Sequence, residues 1–143
     1  MTQSERAVAM VAAAGLHSLS RAAAAFVVLW LLAFIAWGGP PRADASRIAL
    51  TVLVVATALL SAGLTLHLHF DARLFAALGR GEIADLASLD NALHALQLRP
   101  PGTQRAFAER LAGTRRLARR LGVALLMHGG ACTAAVGIAS RGA

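Results

Sequence analysis

Read from its first residue, the chain alternates between uncharged apolar runs of near-bilayer length and stretches in which apolar residues recur every three or four positions. Residues 2–21 contain a helix start, with Ser4 as the expected N-cap and Glu5 in the first turn, and Val8, Val11 and Leu16 as a weak apolar face among alanines. This segment is expected to lie along a membrane surface or to run straight into the next one. Residues 22–37 are uncharged and end at Trp37, an interfacial anchor, before Gly38, Gly39, Pro40 and Pro41 stop the helix. A span needs about 20 residues, so the run crosses a bilayer by borrowing its neighbours, giving a first span over 20–38. A signal peptide competes, with Ala43-Asp44-Ala45 before Ser46 as cleavage motif, but that motif sits far from the apolar core and the leading region is long.

Residues 48–66 form the clearest span, set within 47–68, and carry Thr57, Ser61 and Thr65 at steps of four. Small, weakly polar residues at that spacing make a face that another helix can approach closely. His67, His69 and Asp71 follow while Phe70, Leu74 and Leu78 stay in helical phase, so the helix is expected to leave the bilayer and end near Gly79 or Gly81. Residues 82–98 place Ile83, Leu86, Leu89 or Asp90, Leu93 and Leu96 on one face of an amphipathic, acidic helix. Arg99-Pro100-Pro101-Gly102 breaks it, and Thr103 is placed to cap the next. There Phe107, Leu111, Ala118 and Leu121 share a face, with Arg105, Arg110, Arg115, Arg116, Arg119 and Arg120 on the remainder. An acidic arm, a turn and a basic arm predict an antiparallel hairpin over 71–120. Ion pairs between the arms are expected to be exposed and worth about 0.2–1 kcal/mol each, leaving apolar burial to close it. Residues 121–139 form a third span in which Gly129, Thr133 and Gly137 repeat at four as a second packing seam.

The predicted fold is all-α: one polytopic membrane domain with three transmembrane helices and a cytoplasmic helical hairpin between the second and third. Mean hydropathy of +0.62 and 15% charged residues agree with lipid as the solvent of this 143-residue chain. All fourteen basic residues are arginine, which reads as a GC-rich bacterial coding sequence. Nine of them lie between Asp71 and Arg120, so the connection there belongs on the cytoplasmic side, with the N-terminus inside and the C-terminus outside. The net charge of +7 therefore marks topology, and nucleic acid is not expected as a partner.

Candidate chemistry rests on histidine. His128, in the third span, and His67 and His69, at the end of the second, stand at one membrane level and are candidate ligands for a haem or metal. His128 and Cys132 are one helical turn apart, as a ligand pair would be. The competing role for His128 is packing, bonded to the Thr/Ser seam of the second span. No phosphate loop, Cys-x-x-Cys, zinc-protease motif or nucleophile elbow is present, and no carboxylate falls inside a span. The expected function is accordingly that of a small bacterial inner-membrane protein, a non-enzymatic accessory or scaffold subunit that packs with itself or a larger membrane complex. The alternatives are a histidine-based haem or metal redox module, with no cofactor named by the sequence, and a protein binding anionic lipid headgroups through the six arginines of 105–120.

Overall fold

Four helices, α1 (Gln3–Trp37), α2 (Ala45–Arg80), α3 (Leu86–Ala95) and α4 (Phe107–Arg141), make up the computed structural model, which describes residues 1–37, 45–97 and 106–141. The side chains of Trp37, Ser46, Arg47 and 138–141 are outside that description, as are the Gly-Gly-Pro-Pro stop, the cleavage motif up to Asp44, the Arg-Pro-Pro-Gly break, the Thr103 cap and Arg105.

Local chemistry sets the helix ends. The Thr2 hydroxyl accepts from the Glu5 N–H at 3.2 Å while the Glu5 carboxylate accepts from the Thr2 N–H at 2.8 Å. This reciprocal cap makes Thr2, rather than Ser4, the start of α1, because Ser4 has Ala7 where the returning carboxylate is needed. At the far end of α2, Gly81 takes φ +74°. The Glu82 N–H reaches the Ala77 carbonyl at 3.0 Å and the Gly81 N–H reaches Leu78 at 3.2 Å, which ends the helix where the glycines predict. The acidic helix is shorter than 82–98, since Asp85 leaves the helix to cap it, its Oδ1 accepting from the Ser88 N–H at 2.7 Å. That bond holds the Asp85 carboxyl below its ordinary range, as the guanidinium of Arg80, at 2.5 Å, does for Glu82.

α1 and α2 both run on well past an apolar core of about 20 residues; at 1.5 Å rise, 35 residues extend about 50 Å against about 30 Å of hydrocarbon. Two segments, within Gln3–Ala36 and Ile48–Arg80, are long and apolar enough to cross a membrane, and only 17% and 22% of their most apolar windows are buried. The core helix of a soluble protein would be mostly covered. The third expected span, 121–139, is not separate: it shares α4 with the arginine run, and α4 does not qualify over its described residues.

Inward positions on α1 fall at Ala9, Ala13, Ser20, Ala23 and Val27, in steps of three, four and seven, and all but Val27 are small. Val8 and Val11, the weak apolar face of the first segment, point outward, as do Val28, Leu29, Leu32 and Ile35. Small residues inside let helix backbones approach, and large apolar ones outside need a non-aqueous neighbour.

The contacts divide the chain into two units. In the first, Met1–Ser18 with Leu68–Leu117, Ala9, Ala13, Phe75, Leu78, Leu89, Leu93 and Phe107 form the core, and Phe75 meets Phe107 edge-on at 5.8 Å. Gly79 is needed here, because a Cβ on it would stand 2.5 Å from Met10 Cγ and 3.3 Å from the Arg6 carbonyl. α2 and α4 are tied by the Thr114 hydroxyl donating to Asp71 Oδ2 at 2.8 Å. α3 and α4 are tied by an ion pair between Asp90 and Arg110 whose side chains are each 9% exposed. This corrects the expectation that the pairs between the arms are solvated and that Arg110 lies on the polar face. Arg110 falls one turn before Thr114 and beside Leu111, close enough to the buried stripe of α4 for its head to be drawn in by Asp90.

In the second unit, Leu19–His67 with Ala118–Ala143, Val54, Ala131 and Cys132 are buried, with Trp30, Leu31 and Phe34 packed against them. Gly129 lets α4 rest on α1, since its missing Cβ would lie 3.3 Å from the Phe26 ring.

Candidate functional site

In the second unit His128 is fully buried, with Thr57 and Cys132 as its polar neighbours. Its Nδ1 lies 3.1 Å from the Thr57 hydroxyl oxygen, on the antiparallel α2. That hydroxyl also donates to the carbonyls of Leu53, at 2.8 Å, and Val54, at 3.0 Å. A hydroxyl has one proton, and here it goes to the helix backbone. Thr57 therefore accepts from His128, which places the imidazole proton on Nδ1 and the lone pair on Nε2. Nε2 faces Cys132 Sγ at 3.9 Å, a long thiol contact, and Cys132 is itself fully buried. Ser61, one turn along α2 from Thr57, is also fully buried, and its hydroxyl has no hydrogen-bond partner among the described residues. Thr57, His128 and Cys132 thus form a chain of polar contacts among buried residues, and the Thr57–His128 bond is the one expected of a packing histidine.

The other candidate ligands are placed differently. His67 is exposed, its Nδ1–H spent on the Gly63 carbonyl at 2.9 Å. His69 belongs to the first unit, where its ring lies 5.4 Å from that of His17 and its Nε2 accepts from Arg73 Nε at 3.2 Å. His17, Arg73, Arg80 and Glu82 line an open cavity of about 670 Å³ together with Met10 and five alanines, Ala13, Ala14, Ala72, Ala76 and Ala77. Among the described residues, no three His, Cys, Asp or Glu side chains converge as a metal cage.

The two small-residue seams are used unevenly. Thr57 and Ser61 are buried, and Thr65 bonds the Ser61 carbonyl at 2.7 Å. On α4, Gly129 is buried, whereas Thr133 and Gly137 are exposed, the Thr133 hydroxyl bonding back to the Gly129 carbonyl at 2.8 Å. Arg115, Arg116, Arg119 and Arg120 are all exposed, in the two turns before Leu121. Sequence reasoning found His128 and its helical neighbour Cys132, but not the unsatisfied Ser61; burial without a partner has no signature in the residue pattern. No protein-family model, curated protein or solved structure matches the chain.

Proposed function

We propose that the chain is a small multi-pass protein of the bacterial cytoplasmic membrane, a non-enzymatic accessory or scaffold subunit that packs with a further helix of its own kind or of a larger complex. It crosses three times, through 20–38, 47–68 and 121–139, with the N-terminus and the arginine-rich 71–120 region inside and the C-terminus outside. The observation that carries this reading is the outward face of α4. Val123, Leu126, Gly130, Thr133 and Gly137 follow one another at steps of three and four, and all are exposed. A Cβ added to Gly130, or to Gly122 beside this face, would meet nothing within 4 Å. Lipid packs equally well against larger side chains, and each glycine costs a helix about 0.5–1 kcal/mol relative to alanine. Close approach of another helix is what offsets that cost.

In mild detergent the full chain is expected to migrate as an assembly above its 14.8 kDa monomer, and Gly130→Leu is expected to break it. A monomer in native membranes, with Gly130→Leu changing nothing, would refute the scaffold reading. Topology is read separately, by a reporter fused after Gly102: periplasmic signal there overturns the orientation.

A second reading has an observation of its own. Because α4 is one helix through the arginine run and into the apolar segment, Arg115, Arg116, Arg119 and Arg120 stand within about 9 Å of Leu121 along the axis, at headgroup height. Each arginine near an anionic surface contributes about 1 kcal/mol. Changing all four to glutamine is expected to strip anionic phospholipid from the purified protein while leaving zwitterionic lipid in place.

A further inference from the structure

The arrangement around His128 is more specific than packing requires. A buried imidazole needs a partner for its proton and Thr57 supplies it, but the opposite nitrogen is left facing a sulfur. We propose that His128 Nε2 and Cys132 Sγ form a two-coordinate site for a soft monovalent cation, copper(I), within the membrane-embedded bundle. Both ligands belong to α4, one turn apart, so the site needs no partner helix.

Three properties select this ion. The first is distance. Thiolate and imidazole bonds to a cation of this size are about 2.3 Å and about 2.0 Å, so a linear bridge spans about 4.3 Å. The observed 3.9 Å lies within a few tenths of an ångström of that. The second is ligand number and softness. Zinc in proteins takes four ligands, and no third His, Cys, Asp or Glu joins these two among the described residues. A thiolate with an imidazole suits copper(I), which accepts two.

The third property is charge. Cys132 belongs to an apolar cluster with Val54 and Ala131, against which Trp30, Leu31 and Phe34 pack, and both ligands are fully buried, so an uncompensated charge there is costly. On binding, the Cys132 S–H bond breaks, the proton leaves to solvent, and an S–Cu bond forms with no change in oxidation state. One thiolate, one monovalent cation and one neutral imidazole sum to zero. A divalent ion would leave a positive charge in the apolar interior. Thr57 completes the site as a positioning residue: its hydroxyl proton is committed to the Leu53 and Val54 carbonyls, which fixes the tautomer and turns Nε2 toward the sulfur.

The test uses the purified full chain in detergent, anaerobic and reduced, titrated with copper(I) held by a chromophoric chelator and, separately, with silver(I) as an air-stable probe. One equivalent of either is expected per chain, with one proton released, and none of zinc(II). Cys132→Ser is expected to abolish stoichiometric binding. Thr57→Val, which leaves both ligands in place, is expected to weaken it about 10- to 100-fold. Copper X-ray absorption on the unaltered protein is expected to read one sulfur and one nitrogen, and it requires no variant to fold. Equal binding by Cys132→Ser, unchanged affinity in a Thr57→Val protein that melts like the parent, or a shell of oxygen or several sulfurs would each overturn the assignment.

Discussion

Asp90 and Arg110 offer the sharpest quantitative test of the first unit. With only 9% of each side chain exposed, the pair has been taken out of water, and water will not replace a lost partner. At an effective dielectric of 20, opposite charges 4 Å apart attract by about 4 kcal/mol. Asp90→Ala deletes that attraction and leaves the Arg110 guanidinium buried without the carboxylate, a change that costs about 3–5 kcal/mol in comparable pairs. The expected loss is about 3 kcal/mol, which raises the unfolded fraction about 100-fold. Replacing both residues, Asp90→Leu with Arg110→Met, removes the charge and the need for it together, so the double variant should recover most of the loss. The assay is a four-variant cycle of the full chain in detergent, unfolded by denaturant and followed by far-UV circular dichroism. Single losses below about 1 kcal/mol, with no coupling between the sites, would mean the pair behaves as a surface pair and that α3 and α4 are not closed as described.

Three further outcomes follow from the same contacts. Ser61→Ala removes a buried hydroxyl that bonds nothing among the described residues, so thermal denaturation should show the variant about 1 kcal/mol more stable than the parent; a loss of stability would mean that the hydroxyl has a partner. Gly79→Val presses a side chain onto Met10 and the Arg6 carbonyl and should cost about 1–3 kcal/mol, whereas Gly113→Ala, with nothing within 4 Å, should gain up to about 1 kcal/mol; equal effects on the melting temperature would contradict the close crossing at Gly79. Because Asp85 is held below the ordinary carboxylate range, the support it gives α3 is fully present above the unfolded value near 3.9 and is lost as pH falls through the lower folded value. The Ser88 amide resonance should report that loss with a midpoint below the ordinary carboxylate value, and Asp85→Ala should remove the pH response; a midpoint at or above pH 4 would contradict the cap.

Much of the helical layout was legible because apolar runs and glycine stops act locally. The end of α2 at Gly81 and the inward turn of Leu89, Leu93, Phe107 and Leu121 follow from spacing alone. What spacing could not supply was the inside of α1. A pattern weighs Val8 and Val11 above Ala9 and Ala13, but it is the alanines that are buried, on the stretch of α1 where Met10 closes on Gly79 of α2. The burial of Asp90 was half visible, since steps of three and four from Leu86 admit either Leu89 or Asp90, yet a carboxylate goes inside only when a cation meets it there, and that meeting is tertiary. At the candidate site, His128, Thr57 and Cys132 were each nameable from sequence, but the direction of the imidazole proton was not. It depends on where the Thr57 hydroxyl sends its own.

α3 has only ten residues, too few to persist alone in water, and it is held by Leu89, Leu93, the Asp90 pair and one capping carboxylate. Its opening requires far less apolar surface to be uncovered than that of its three long neighbours. Quality-control proteases, which need an extended stretch of chain to grip, should therefore seize this protein at 86–95 first, making the lifetime of the whole chain a property of its shortest helix.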